Sequence, residues 1–175
     1  MEFVKKRNNV ASVVEVIIAN TGMPLNLLDG QSRPPIEGLD DLLRELSICR
    51  ANGSSIKIID DYDMDGQMSG EILREALEEY LGKPVESWSP RRFSQGYGIK
   101  SEMVTDTKAQ VILTVDNGIV AVEPVRVAKS LGKKVYIVDH HQRREDGLLP
   151  EADVIIDPHV RGGYNGYCAA GLALR

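Results

Sequence analysis

Strand-like runs and helical stretches alternate along most of this chain, and that alternation limits the fold more than any other feature. The strand-like runs are SSIKIID (54–60), PVESW (84–88), QVILTV (110–115), KVYIV (134–138) and ADVIID (152–157). QVILTV is apolar at nearly every position, as a strand buried on both faces should be. Between the runs lie LDDLLRELSICRANG (39–53), SGEILREALEEYLG (69–82) and VAVEPVRVAKSLG (120–132), whose apolar residues recur at helical spacing. Acids open the first helix, and Gly53 and Gly82 close the first two. Pro124 falls in the first turn of the third, where a missing N–H is tolerated. The pattern predicts an α/β fold, a parallel β-sheet flanked by helices on both faces.

The ends of the chain are less regular. NVASVVEVIIAN (9–20) favours helix, and PLNLLDGQSRPPIEG (24–38) reads as a Pro- and Gly-rich loop. The expected division is an N-terminal helix and linker over 1–37 and one α/β domain over 38–175. The final CAAGLALR (168–175) is apolar and predicted helical, and it stops without a polar cap. No apolar run reaches the ~20 residues of a membrane span, and no signal-type core follows the basic MEFVKKRNNV. These features predict a cytoplasmic protein. Cys49 and Cys168 lack metal-ligand spacing, so both are expected to be small core thiols.

The chemistry concentrates at strand ends. The first run leads into IIDDYDMDG (58–66), the third into Asp116 of TVDNG, and the fourth into Asp139-His140-His141. In an open parallel sheet, ligands bind outside the carboxyl ends of the strands. The fold should therefore gather these residues, with Gly66 and Gly118 turning the chain away from the sheet. Carboxylates crowded this way resist ionising together unless a cation compensates. Oxygen ligands with one or two imidazoles suit Mn²⁺ or Mg²⁺ before Zn²⁺. The number of acids favours two ions, which together can activate a water and clamp a phosphate.

Plainer readings exist for each piece. A lone DxDG turn is more often a solvated loop, and this one lacks the ligand spacing and final Glu of a calcium-binding EF-hand. A lone His pair is often structural. Three acid- or histidine-bearing strand ends in order are far less ordinary. The net charge of −5 does not exclude a phosphate-rich substrate: without Asp60, Asp61, Asp63, Asp65, Asp116 and Asp139 it is about +1.

DYDMDG (61–66), TVDNGI (114–119) and DHH (139–141) resemble the successive motifs of the DHH phosphoesterases. SPRRFSQGYGIK (89–100) resembles the Gly-Tyr-Gly segment of the RecJ branch, single-strand-specific 5′→3′ exonucleases, and LLPEADVIIDPH and GYCAAGLALR extend the similarity. The resemblance covers about residues 38–175. It implies that Asp63, Asp65, Asp116 and His140 are metal ligands, with Asp116 bridging two Mn²⁺ ions and Asp61 a further candidate. It also implies that Asp139 orients a neighbouring histidine and that His141 contacts the scissile phosphate. Arg92 becomes a phosphate contact or a surface ion pair. Gly96 and Gly98 become a close approach to substrate or a simple turn, and Tyr97 a base-stacking ring or a core residue.

This chain departs from the pattern in places. Ile59 stands where pyrophosphatase-like relatives carry a histidine, Gln95 where an acid is common, and Asp157 where an Asn is frequent. The family's last metal-binding Asp and its second, closing domain are expected beyond Arg175, so the chain is expected to be an N-terminal portion of a larger enzyme or a truncated relative, with little or no nuclease activity by itself and with Asp157 as the one residue that could substitute as a ligand. The implied function is Mn²⁺-dependent hydrolysis of single-stranded nucleic acid, DNA first. One rival is hydrolysis of short oligonucleotides or cyclic dinucleotides, separable by assaying long strands beside dinucleotides. The other is a non-catalytic nucleic-acid-binding module, which metal titration would reveal.

Overall fold

Five short parallel strands carry the architecture: β1 (Ile56–Ile59), β2 (Glu86–Trp88), β3 (Val111–Val115), β4 (Lys134–Val138) and β5 (Val154–Ile156), in the order β2-β1-β3-β4-β5. The computed structural model describes residues 35–174 apart from 92, 94 and 95. The helix expected over 9–20, most of the loop after it, Arg92 and Gln95 therefore lie outside the described residues. Every strand pairing is parallel, with Ile58 opposite Leu113 and Leu113 opposite Tyr136.

The helices are α1 (Leu39–Asn52), α2 (Met64–Leu81), α3 (Ser101–Thr105), α4 (Val122–Ser130), α5 (Pro158–Arg161) and α6 (Ala169–Ala173). They cover both faces of the sheet, because alternate strand residues point to opposite sides. Ile58, Leu113, Tyr136 and Ile156 pack with Leu42, Leu46, Leu77 and Leu172 of α1, α2 and α6. Ile59, Ile112, Val135 and Ile137 pack with Met103, Val104, Val125 and Ala128 of α3 and α4. Ile59 is thus fully buried core.

Several expectations need correction. Helix α2 begins at Met64, five residues before the apolar periodicity does, because Asp63 caps it by accepting the Gly66 N–H at 3.0 Å. Asp65 and Gly66 are consequently helical. Gly66 does not turn the chain with a positive φ; a Cβ there would lie 2.5 Å from the Asp61 carbonyl oxygen, so close approach explains the glycine. Gly118 does adopt a left-handed φ of 116°. Helices α3 and α5 are additional to the sequence pattern, being too short for periodicity to show. Cys49 is buried, but Cys168 is exposed at the start of α6 and is not a core residue.

Candidate metal centre

The sheet order reverses between β1 and β3: the chain leaves β1 for one neighbour and returns on the other side as β3. Crevices at such reversals are where open α/β sheets bind ligands. Asp60 and Asp61 leave β1 there, Asp116 leaves β3, and Asp139, His140 and His141 leave β4.

Asp116 occupies the centre. It is buried, and its Oδ1 lies 3.0 Å from His140 Nε2 and 3.9 Å from His141 Nδ1. Two sets of potential ligand atoms fall within 4.8 Å of one another, Asp116 with His140 and His141, and Asp61 with Asp63 and Asp116. Asp116 is common to both. Burial raises its carboxyl above the ordinary value, while the His140 contact opposes that rise. Asp61 is raised by burial, with Asp63 and Asp116 adding to it.

Asp65 stands beside this pair of triads. Its Oδ2 is 3.6 Å from His140 Nε2. The same carboxylate accepts the N–H groups of Ala169 and Ala170 at 2.8 and 2.9 Å, which joins the start of α2 to the start of α6. Burial pushes Asp65 upward, but those two N–H groups, together with Cys168 and His140, hold the carboxyl below its ordinary value.

Asp139 is a buried hub. Its Oδ1 pairs with His141 Nδ1 at 2.7 Å and accepts the backbone N–H groups of His140 and His141, and its Oδ2 accepts that of Ile119 at 2.9 Å. Burial works against its charge, yet His141 and the backbone donors keep the carboxyl low. In return, the Asp139 hydrogen bond raises His141 to about 9. His140 is raised by its Asp116 contact.

Asp157 ends β5. One oxygen accepts the His159 N–H at 2.7 Å and the other is buried with no hydrogen-bond partner among the described residues. Burial, helped by Asp139, pushes its carboxyl up to about 6. It belongs to neither ligand triad. Tyr97 is on the rim, not in the core: its ring is half-exposed, with centroids 6.5 Å from Tyr62 and 6.1 Å from His141. Burial and the neighbouring Asp139, Asp61 and Asp116 charges raise its phenol. Gly96 and Gly98 both have left-handed φ, and a Cβ on either would meet nothing within 4 Å among the described residues, which fits the turn reading.

Two residues here carry no role from the sequence alone. Asp60 is buried, with one carboxylate oxygen that has no hydrogen-bond partner among the described residues, and burial lifts it to about 6. Asn117 is buried between β1 and β3. The only sequence signal for Asn117 is its place in an Asp-Asn-Gly turn.

The donor set fits a divalent cation. Oxygen atoms dominate it, imidazole nitrogen completes it, and the Asp61 carboxylate keeps a buried oxygen with no hydrogen-bond partner among the described residues. The sequence of residues 55–175 matches the DHH family, N-terminal domain. The chain belongs to the DHH family.

This DHH domain is 34% identical over 129 residues to the single-stranded-DNA-specific exonuclease RecJ of Salmonella typhimurium, covering 72% of this chain and 22% of that protein. It is 32% identical over 143 residues to RecJ of Bacillus subtilis, covering 79% and 18%. The chain therefore spans about a fifth of the length of these relatives. A crystal structure of exonuclease RecJ bound to manganese superposes with a TM-score of 0.71 at 29% identity, over 79% of this chain and 36% of that one. RecJ of Thermus thermophilus in complex with Mn²⁺ superposes at 0.65 with 26% identity, over 79% and 20%. Among the described residues, no helix of the DHH domain is long and apolar enough to cross a membrane.

Proposed function

We propose that residues 38–175 form the catalytic DHH domain of a RecJ-like exonuclease of the cytoplasm, preceded by a helix and linker over 1–37. It would hydrolyse phosphodiester bonds of single-stranded DNA from a 5′ end. The observation that carries this reading is the single Asp116 carboxylate, which lies within ligand distance of His140 on one side and of Asp61 and Asp63 on the other; His141 shares the first group, but its Nδ1 is taken by Asp139. Asp61, Asp63, Asp65, Asp116 and His140 would hold two Mn²⁺ ions, with Mg²⁺ as a substitute, and Asp157 is the reserve ligand. When bound, such ions lower the pKa of a water and stabilise charge on a phosphate.

The protein's own groups supply orientation and a proton. Asp139 fixes His141 through Nδ1, which leaves Nε2 for a phosphate oxygen. Without bound cations the Asp139 hydrogen bond raises His141 to about 9, which favours its imidazolium form. It can therefore hydrogen-bond a phosphate oxygen and deliver a proton to the leaving alkoxide. Tyr97 on the rim offers an aromatic face to a base, and Arg92 and the Gly96–Gly98 turn would guide the strand.

The test replaces the matching 129-residue segment of Escherichia coli RecJ with this one and follows end-labelled single strands, matched duplexes and dinucleotides in Mn²⁺. Release of nucleotides from long single strands, lost on Asp116→Ala, supports the reading. Cleavage of dinucleotides alone would transfer the domain to the small-phosphodiester class. Absence of Mn²⁺ binding by calorimetry would make it a non-catalytic module.

A further inference from the structure

Asp116 is the one non-glycine residue with positive φ, at 59°, among the described residues. A side chain rarely adopts that conformation, and it persists only where the surroundings impose it. The constraint comes from the residues on either side. The Asp116 N–H donates to Val138 O at 3.0 Å, which fixes the residue to the end of β4. The next residue, Asn117, is 2% exposed. Its Nδ2 donates to Val115 O at 3.2 Å and to Ile59 O at 3.4 Å. Those carbonyls close β3 and β1, the two strands between which the sheet order reverses.

The rest of the loop locks Asn117 in turn. Thr114 Oγ1 donates to Asn117 O at 3.0 Å. Gly118 follows with φ 116°, and a Cβ there would lie 2.4 Å from Thr114 Oγ1. Ile119 N–H then reaches Asp139 Oδ2 at 2.9 Å. The TVDNGI loop is thus pinned to β1 by Asn117 and to the DHH segment by Asp139.

We infer that Asn117 is a positioning residue, whose amide bridges the ends of β1 and β3 and holds Asp116 left-handed so that one carboxylate faces both ligand triads. The physical reason is a donor count. Two strand-end carbonyls at the reversal point need N–H partners, and a single buried amide meets both. Without it, Asp116 can relax to an ordinary φ and its carboxylate turns away from Asp61 and Asp63. Aspartate could not substitute, since it offers no N–H and adds a buried charge. Serine keeps one short donor that can serve Val115 O, so it should rescue in part.

On the reading of this cluster as a metal centre, the expected effect is that of losing a supporting hydrogen bond behind a ligand. Asn117→Ala should weaken Mn²⁺ binding by about 10- to 100-fold, with Asn117→Ser in between. Val125→Ala, a core truncation on the buried face of α4, should lower the melting temperature while leaving Mn²⁺ affinity unchanged below it. Mn²⁺ affinity is measured by calorimetry. A metal-free measurement runs beside it: the strong intraresidue HN–Hα NOE that positive φ gives Asp116 should vanish in Asn117→Ala and persist in Val125→Ala. Persistence of that NOE in Asn117→Ala would overturn the inference, as would Mn²⁺ binding equal to the unmodified protein. If the unmodified protein binds no Mn²⁺, the metal-centre reading fails, and the NOE alone decides whether Asn117 positions Asp116.

Discussion

Asp116 and His140 leave adjacent strands, β3 and β4, and meet at 3.0 Å between Oδ1 and Nε2. The same carboxylate also completes a triad with Asp61 and Asp63, which follow the end of β1. Removing it should therefore disable both halves of the centre. A ligand at 100 times its dissociation constant stabilises a fold by about 2.7 kcal/mol, which is a rise of several degrees for a domain of this size. Asp116→Ala should abolish most of the Mn²⁺-induced rise in Tm. An undiminished rise, measured by scanning calorimetry, would remove Asp116 from its bridging role.

The two histidines should separate by measurement. His140 Nε2 faces Asp116 and Asp65, whereas His141 Nδ1 is taken by Asp139. His140→Ala should weaken Mn²⁺ binding by about tenfold or more. His141→Ala should leave that affinity nearly unchanged and lower turnover by about 10²- to 10⁴-fold, the usual contribution of general acid catalysis. Equal loss of metal in both variants would show that the roles are not divided this way.

Stability without metal should fall as pH rises. Burial lifts Asp60 and Asp157 from 3.8 to about 6 in the folded state. Their stabilising protonated form is fully present below 3.8 and is lost as pH climbs through about 6. For Asp157 the cost of ionising in the fold is on the order of 2–3 kcal/mol. His141, raised from 6.5 to about 9, acts in the same sense over 6.5–9. Urea denaturation from pH 4 to 7 should show the decline, and Asp157→Asn should flatten part of it. A decline unaltered in that variant would mean that Asp157 ionises as freely folded as unfolded.

Gly66 and Gly82 provide a paired test of the acidic loop. A Cβ on Gly66 would meet the Asp61 backbone at 2.5–2.7 Å, whereas one on Gly82, at φ 67°, meets nothing within 4 Å. Gly66→Ala should cost about 1–3 kcal/mol from overpacking and also weaken Mn²⁺ binding, because the clash displaces Asp61. Gly82→Ala should cost about 1–2 kcal/mol from the left-handed backbone with Mn²⁺ affinity intact. Equal Mn²⁺ affinity in the two variants would disconnect Gly66 from the site.

The layered sheet and the place of the chemistry are legible in the local pattern of residues. Runs such as QVILTV and KVYIV carry too many adjacent apolar residues for any setting but a strand covered on both faces, and β3 and β4 form there. The acids and histidines follow strand ends directly, so a parallel sheet was bound to collect them at one edge. The remaining features depend on side-chain caps, loop paths and contacts between distant segments. Helix α2 starts at Met64 because the Asp63 side chain caps it, a local hydrogen bond that apolar periodicity cannot register. Cys168 is exposed and Tyr97 sits on the rim because loop paths, not hydrophobicity, set their burial. Asp65 meets the start of α6 across 104 residues of chain, and Asn117 reaches Ile59 across 58. Such contacts depend on how strands are ordered in the sheet, and one sequence carries no direct signal of that order.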